Sequence, residues 1–254
     1  MKISIITVTY NSAKFIDNCL KSVETQNYNN IEHIIIDGNS TDETLNLLYS
    51  KRDQINKLIS EPDRGVYDAM NKGIKVATGD VIGFLNSDDI YANNKIISKV
   101  ASVFKDNLSI DACYADLVYT QQMDTSKIIR YWKSNKFNAG YFSKGWRPPH
   151  PTFFARSNIY RRFGQFDINY NISADYELMM RFLEIHKINV CYIPDLWVKM
   201  RIGGLSNKSF KTLIKQNKED LKALKSHNLL KNIFIFLLFK ILSRSRQFFI
   251  KPNY

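Results

Sequence analysis

The first half of the chain alternates two hydrophobic rhythms. Ile3 to Val8 is a continuous β-rich run, the pattern of a strand covered on both faces. After Ser12, a helix-capping residue type, apolar positions fall at Phe15, Ile16, Cys19, Leu20 and Val23, which is helical spacing. Ile34-Ile35-Ile36 predicts a second strand, and Ser40 with Glu43 reads as a capping box ahead of Leu45 and Leu48. Leu58-Ile59 predicts a short third strand. Val66, Met70, Ile74 and Ala77 mark another helix, and Val81 to Leu85 a fourth strand.

The second half is less regular. Tyr114–Tyr119 and Ile128–Trp132 predict paired strands, followed by a long loop over 133–149. Phe153-Phe154 reads as a strand before a short helix ended by Gly164, and Ser173 as the cap of a helix carrying Leu178, Met179, Phe182 and Leu183. Val190–Ile193 and Trp197–Met200 predict two closing strands, with a hinge at Gly203-Gly204. Beyond it, Phe210, Leu213, Ile214, Leu221 and Leu224 line one helical face while Lys211, Lys215, Lys218, Lys222 and Lys225 line another. A break near His227-Asn228 precedes a second helix with Leu230, Ile233, Phe234, Leu237, Leu238, Ile241 and Leu242.

Strand–helix alternation predicts an α/β fold with a mostly parallel sheet flanked by helices. In such sheets ligands bind outside the carboxyl ends of the strands. Here the four strands are followed by Thr9-Tyr10-Asn11, Asp37, Glu61-Pro62-Asp63-Arg64-Gly65 and Asn86-Ser87-Asp88-Asp89. Polar groups recurring at one topological end predict a site.

Composition narrows the class. Of 254 residues, 44% are hydrophobic and 13% aromatic, enough for a packed core and too many for wholesale disorder. The net charge of +12 is uneven: residues 208–254 hold 11 Lys and Arg against 2 Asp and Glu, leaving residues 1–207 near balance. The chain therefore divides into a folded domain over 1–207 and a basic amphipathic tail over 208–254. Basicity confined to a tail argues for an anionic membrane surface and against a nucleic-acid partner. The unbroken apolar run Ile233–Phe239 is far short of the roughly 20 residues of a bilayer span, so the tail is expected to lie on the membrane. A hydrophobic contact in a homo-oligomer is the alternative. Three scattered cysteines without a Cys/His cluster make a zinc site improbable and fit a reducing compartment. No secretory signal opens the chain, so the expected location is the cytoplasmic side.

Asp88 and Asp89 are the sharpest chemical feature. Adjacent carboxylates disfavour each other's ionisation, and a hard divalent cation (Mn2+ or Mg2+) reverses that penalty. Such a cation bridges a diphosphate and stabilises it as a leaving group. An Asp-rich turn capping the next helix is the plainer alternative. Asp37 is a candidate for a nucleobase edge, or else a turn residue. Tyr10 is a candidate for stacking on a base, or else simple packing. Arg64 is a candidate for a phosphate, or else pairs with Glu61 or Asp63. Asp175, in the first turn of its helix where the macrodipole favours the ionised form, is the candidate general base. His150 is a candidate for metal, phosphate or acceptor contact, or else a plain loop histidine, and Arg201 for a diphosphate clamp beside the glycine hinge, or else a surface cation.

Taken together, Ile6-Thr7-Val8-Thr9-Tyr10-Asn11-Ser12, Asp37-Gly38-Asn39-Ser40-Thr41-Asp42, Glu61 to Gly73 and Gly79-Asp80 leading to Asn86-Ser87-Asp88-Asp89 resemble family 2 glycosyltransferases of bacterial surface polysaccharide synthesis. The resemblance covers about residues 1–205 and is most specific over the first 90. It implies a GT-A fold and an inverting transfer from a nucleotide diphosphate sugar, UDP by family habit. The acceptor it implies is a polyprenyl-diphosphate-linked saccharide, as in O-antigen, capsule or exopolysaccharide assembly. It also implies nucleotide-sugar contacts at Thr9, Tyr10, Asp37, Arg64 and Asp88. The family's Asp-x-Asp motif maps onto this turn with Asn86 in its first place, and Asp89 is expected to hold the metal, with or without Asp88. The base helix carries Ala174-Asp175 where many members have an acidic pair. A sugar nucleotidyltransferase would carry a Gly-rich loop after the first strand, and a dinucleotide dehydrogenase GxGxxG. Neither motif is present, nor is a P-loop. A membrane-docked, non-catalytic nucleotide-binding scaffold is the non-enzyme alternative.

Overall fold

A computed structural model describes residues 1–203, 210–250 and 252. The strand–helix alternation of the first half becomes a parallel sheet. β1 (Ile3–Thr9) pairs in parallel with β2 (Ile31–Asp37) and β4 (Val81–Phe84), and β3 (Lys57–Ser60) pairs in parallel with β2. Side chains alternate across β1 with period two. Ile6 and Val8 join one core, under α3 (Val66–Val76), while Ile3 and Ile5 join another, with α1 (Ile16–Glu24) and α4 (Ile96–Asp106). Every residue of β1 is buried, so each isoleucine contributes roughly 1.5–3 kcal/mol of burial. A third cluster packs α1 against α2 (Thr44–Ser50) through Ile16, Leu20 and Leu48.

The second half turns the sheet from parallel to mixed. β6 (Ala112–Thr120) runs parallel to β9 (Val190–Arg201). β7 (Ile128–Trp132) and β8 (Phe154–Arg156) pair antiparallel with different stretches of β6, and β8 joins it to β4. β5 (Ile90–Tyr91) pairs antiparallel with β9 at the far edge. The two closing strands expected from the sequence are one strand, with a register irregularity opposite Asp116. Pro194 lies in that stretch, and a residue without an N–H is accommodated there as a bulge rather than a turn. α5 (Ser157–Phe163) follows β8, and α6 (Ala174–Met180) continues into a π-helical turn at Arg181–Ile185.

Three expected side-chain caps do not form, because each hydroxyl is used elsewhere. Ser12 Oγ is shared with Ser87 Oγ at 2.9 Å and α1 begins later, at Ile16. Ser40 Oγ donates to Asp37, and Asp42 takes over at the next turn by accepting from the Thr44 amide at 3.0 Å. Ser173 Oγ points to the Gln216 carbonyl.

The tail forms α7 (Phe210–Ser226) and α8 (Ile233–Arg246), broken near His227-Asn228 as expected. Gly204 of the expected hinge and the Phe210 side chain lie outside the described residues. Both helices pack on the domain: Ala223 and Leu224 of α7 and Phe236 of α8 belong to the core under α3. Gly145 permits the approach of α8. It has φ +73°, and an added Cβ would lie 2.8 Å from Lys240 Cβ and 2.9 Å from the Phe236 carbonyl oxygen. No helix among the described residues is long and apolar enough to cross a membrane. α8 nonetheless exposes Phe234 (83%), Leu238, Phe239, Ile241 and Leu242, while the α7 lysines face solvent.

Candidate active site

A cleft of about 810 Å³ opens at the carboxyl ends of β1 and β4. Its walls carry Thr9 at the end of β1 and Tyr10 after it, Asp63 and Tyr67 around the start of α3, Asn86 to Asp88 after β4, His150, and Asp175. The strand ends are brought together by register, which sets Thr9 beside Asp37 and Asp37 beside Ser60.

Asp175 occupies the first turn of α6, as the sequence predicts, and is largely buried. The Tyr67 hydroxyl has one proton between two acceptors, the Ile172 carbonyl at 2.6 Å and Asp175 Oδ1 at 3.0 Å, and His150 Nδ1 lies 3.4 Å from Oδ2. Burial, with the Asp175 charge behind it, pushes the Tyr67 phenol well above its usual range, so it stays a donor. Burial also lowers His150. The Asp175 charge opposes that shift and the Arg147 charge adds to it, leaving the ring neutral at neutral pH. A carboxylate held by a hydroxyl and a neutral imidazole, at the wall of a cleft, is placed to take a proton from a bound hydroxyl.

The acidic turn after β4 separates its two carboxylates. Asp88 lines the cleft. Asp89 is fully buried, accepts from Asn86 Nδ2 at 3.2 Å and from the Arg201 amide at 3.3 Å, and does not line it. Burial, then the Asp88 charge, raises Asp89 well above the usual carboxylate range, which favours its neutral form. Consecutive side chains leave the turn in different directions: Asp88 faces the cleft, and Asp89, the expected metal ligand, lies beneath it. Among the described residues no three His, Cys, Asp or Glu side chains converge as a ready-made cation site. The cleft carboxylate of Asp88 still suits a hard cation that takes its other ligands from substrate phosphates.

The match to a family model decides between the enzyme classes. Residues 4–171 match the glycosyl transferase family 2 model, a span that includes Tyr10, Asp88 and His150. The chain belongs to glycosyl transferase family 2. It is 30% identical over 181 residues to an uncharacterized glycosyltransferase of Mycobacterium tuberculosis, covering 70% of this chain and 68% of that one. It is 27% identical over 208 residues to a PGL/p-HBAD biosynthesis glycosyltransferase of Mycobacterium bovis, covering 80% and 78%. Among solved structures, S. aureus TarS 1–349 in complex with UDP-GlcNAc shares the fold at TM-score 0.68 and 19% identity, over 95% of this chain and 73% of that one. The chain spans 46% of the longer TarS chain. Mannosyltransferase PcManGT from Pyrobaculum calidifontis, in complex with GDP-Man and Mn2+, superposes at TM-score 0.65 and 15% identity, over 99% and 76%. The fold is therefore of the GT-A type.

In this glycosyltransferase, Thr9, Tyr10, Asp88, His150 and Asp175 meet in one cleft, and four other expected residues do not reach it. Asp37 is sealed beneath: its oxygens accept from the Ser40 amide and hydroxyl and from Ser60 Oγ, three of about four lone-pair sites. Arg64 is 74% exposed and pairs with Asp68 at 3.3 Å, not with Glu61 or Asp63. Arg201, the expected diphosphate clamp, is buried, with Nη1 on the Gln122 carbonyl and its guanidinium over the Phe15 ring. Asp89 is the fourth. Sequence reasoning missed Asp63, which reaches the space beside Gly38 and Tyr10. It also missed Tyr67, whose contact with Asp175 spans 108 residues. A hint for Asp63 lay in its own Pro62-Asp63-Arg64-Gly65 turn; for Tyr67 there was none.

Proposed function

We propose that this chain is an inverting glycosyltransferase that moves a sugar from a UDP-sugar to a lipid-linked saccharide in O-antigen, capsule or exopolysaccharide synthesis. The observation that carries the reading is Asp175, positioned by Tyr67 and His150, in the same cleft as Asp88. Asp175 takes the proton of the acceptor hydroxyl as that oxygen attacks the anomeric carbon, and the nucleoside diphosphate leaves from the opposite face. Tyr10, 60% exposed at the cleft, stacks on the base, with Thr9 behind it. Contact between Asp37 and the base edge requires its remaining lone pair and a shift of the Gly38–Thr41 turn. A divalent cation (Mn2+ or Mg2+) held by Asp88 and the donor's phosphate oxygens would neutralise the charge that develops on the departing diphosphate. The Mn2+ and GDP-Man complex of the similarly folded PcManGT supports that choice.

Residues 1–207 are read as the transferase domain and 208–254 as its membrane-associating tail. The apolar face of α8 beside the exposed α7 lysines supports docking on the anionic cytoplasmic face of a bacterial membrane. Asp175→Asn tests the chemistry. Turnover should fall by about 100-fold or more while donor affinity stays within about twofold. Unchanged turnover would remove Asp175 from the mechanism, and a product with the donor's anomeric configuration would overturn inversion.

A further inference from the structure

One wall of the cleft has no role in the reading above and is cationic. Arg130 from β7, Arg147 from the following segment, and Lys240 and Arg244 from α8 all line it. Arg130 is buried and its guanidinium carbon lies 3.8 Å from the centre of the Tyr119 ring. Arg147 and Lys240 both donate to one oxygen of the buried Asp220, at 2.9 and 2.5 Å. Four cations thus share a largely buried wall, with the Asp220 carboxylate paired to two of them. Burial, then the Arg147 charge, pushes Lys240 down to about 8. Burial, then the Arg130 charge, lowers Arg244. Like charges held together out of water at the wall of a cleft are relieved by a bound anion.

The same helix has a second face. Lys240 and Arg244 are four residues apart on the inward stripe of α8, and Phe234, Leu238 and Leu242 are exposed on the outward one. Arg147 also lies within electrostatic reach of Asp175. A cationic group near the candidate base, beside a helix that adds Lys240 and Arg244 and is apolar on its other side, matches a molecule with an anionic head and a hydrocarbon chain.

We propose that Arg130, Arg147, Lys240 and Arg244 form a phosphate subsite for an amphiphilic acceptor, with its hydrocarbon chain lying along the exposed face of α8. The proposal rests on the transferase reading for the word acceptor, but the subsite is tested by binding alone. Trp132 and Trp146 line the cleft, so their fluorescence reports its occupation. The full chain is titrated in EDTA, which removes any diphosphate contact that needs a metal, with farnesyl diphosphate, farnesol and inorganic diphosphate as separate probes. Farnesyl diphosphate should bind at least about tenfold tighter than either fragment.

Arg130→Gln with Arg244→Gln should weaken farnesyl diphosphate binding by about tenfold or more, and Arg244→Lys should keep most of it. Ser243→Glu places a carboxylate from an exposed cleft position among the cations without disturbing packing. It should weaken binding similarly and carries the test if the double variant fails to fold. Equal binding of farnesol or of inorganic diphosphate overturns the subsite. So does an affinity in Ser243→Glu within twofold of the parent, or no saturable signal up to about 1 mM. A protein that binds farnesyl diphosphate through these residues yet transfers no sugar retains the subsite and loses the transferase reading. An active protein indifferent to the probe does the reverse.

Discussion

Replacing Asp220 by Ala should strip α7 and α8 of the ion pairs that fasten them to the cleft. The Asp220 carboxylate is fully buried, and both of its cationic partners act through Oδ2 while Oδ1 has no partner. Arg147 and Lys240 are only 10% and 13% exposed at the side chain, so neither gains full hydration when the carboxylate goes. Removing one member of a buried ion pair costs about 3–5 kcal/mol, because a charge is left desolvated and unpaired. Arg147 cannot shed its charge, so most of that cost falls on it. Lys240 caps the loss, since it already sits near about 8 and sheds its proton once Asp220 is gone.

For a chain of this size each kcal/mol shifts the midpoint by about 2–4 °C, so Tm should fall by about 6–20 °C at pH 7. Differential scanning calorimetry reads that shift, and limited proteolysis of α7 and α8 shows where it acts. Asp220→Ala combined with Arg147→Met removes the stranded charge and should regain more than about 1 kcal/mol of the loss. A single variant within 1 °C of the parent, with no recovery in the double variant, would refute the clamp.

The two aspartates of the acidic turn should separate cleanly. Asp88→Asn is expected to lower metal-dependent turnover by about 100-fold or more, whereas Asp89→Asn, replacing a carboxyl buried beneath the cleft by a similar shape, should retain the larger activity; the reverse order in a kinetic comparison would make Asp89 the metal ligand. His33 should make the fold sensitive to acid. Burial pushes this ring down to about 3, so the unfolded chain binds its proton below about pH 6.5 and the folded one only below about 3. The contribution of neutral His33 is therefore complete above pH 6.5 and is lost as pH falls to 3, by on the order of 5 kcal/mol. His33→Gln should flatten urea-derived stability across that window, and an unchanged slope would count against it. On the membrane side, Phe234→Ser with Leu238→Ser, both exposed on α8, should leave Tm nearly unchanged and release the protein from anionic vesicles. Equal sedimentation, or a change of oligomeric state in its place, would favour a contact between copies.

The sequence by itself determined the first four strands, the helices between them and the break between α7 and α8, because period two and period 3.6 are written in residues close along the chain. It also placed the polar loops at one end of the sheet, since parallel strands joined by helices leave their carboxyl ends together. Which carboxylates face the cleft was beyond it. Asp88 and Asp89 are neighbours, and only the path of the turn sends one outward and the other beneath. Asp37 and Arg201 were of the right chemical type, but packing turned them to Ser40, Ser60, Gln122 and Phe15. The contact of Tyr67 with Asp175 and that of Arg147 with Asp220 join residues 108 and 73 positions apart. Such pairs depend on how sheet, loop and helices close on one another, and no local spacing encodes that closure.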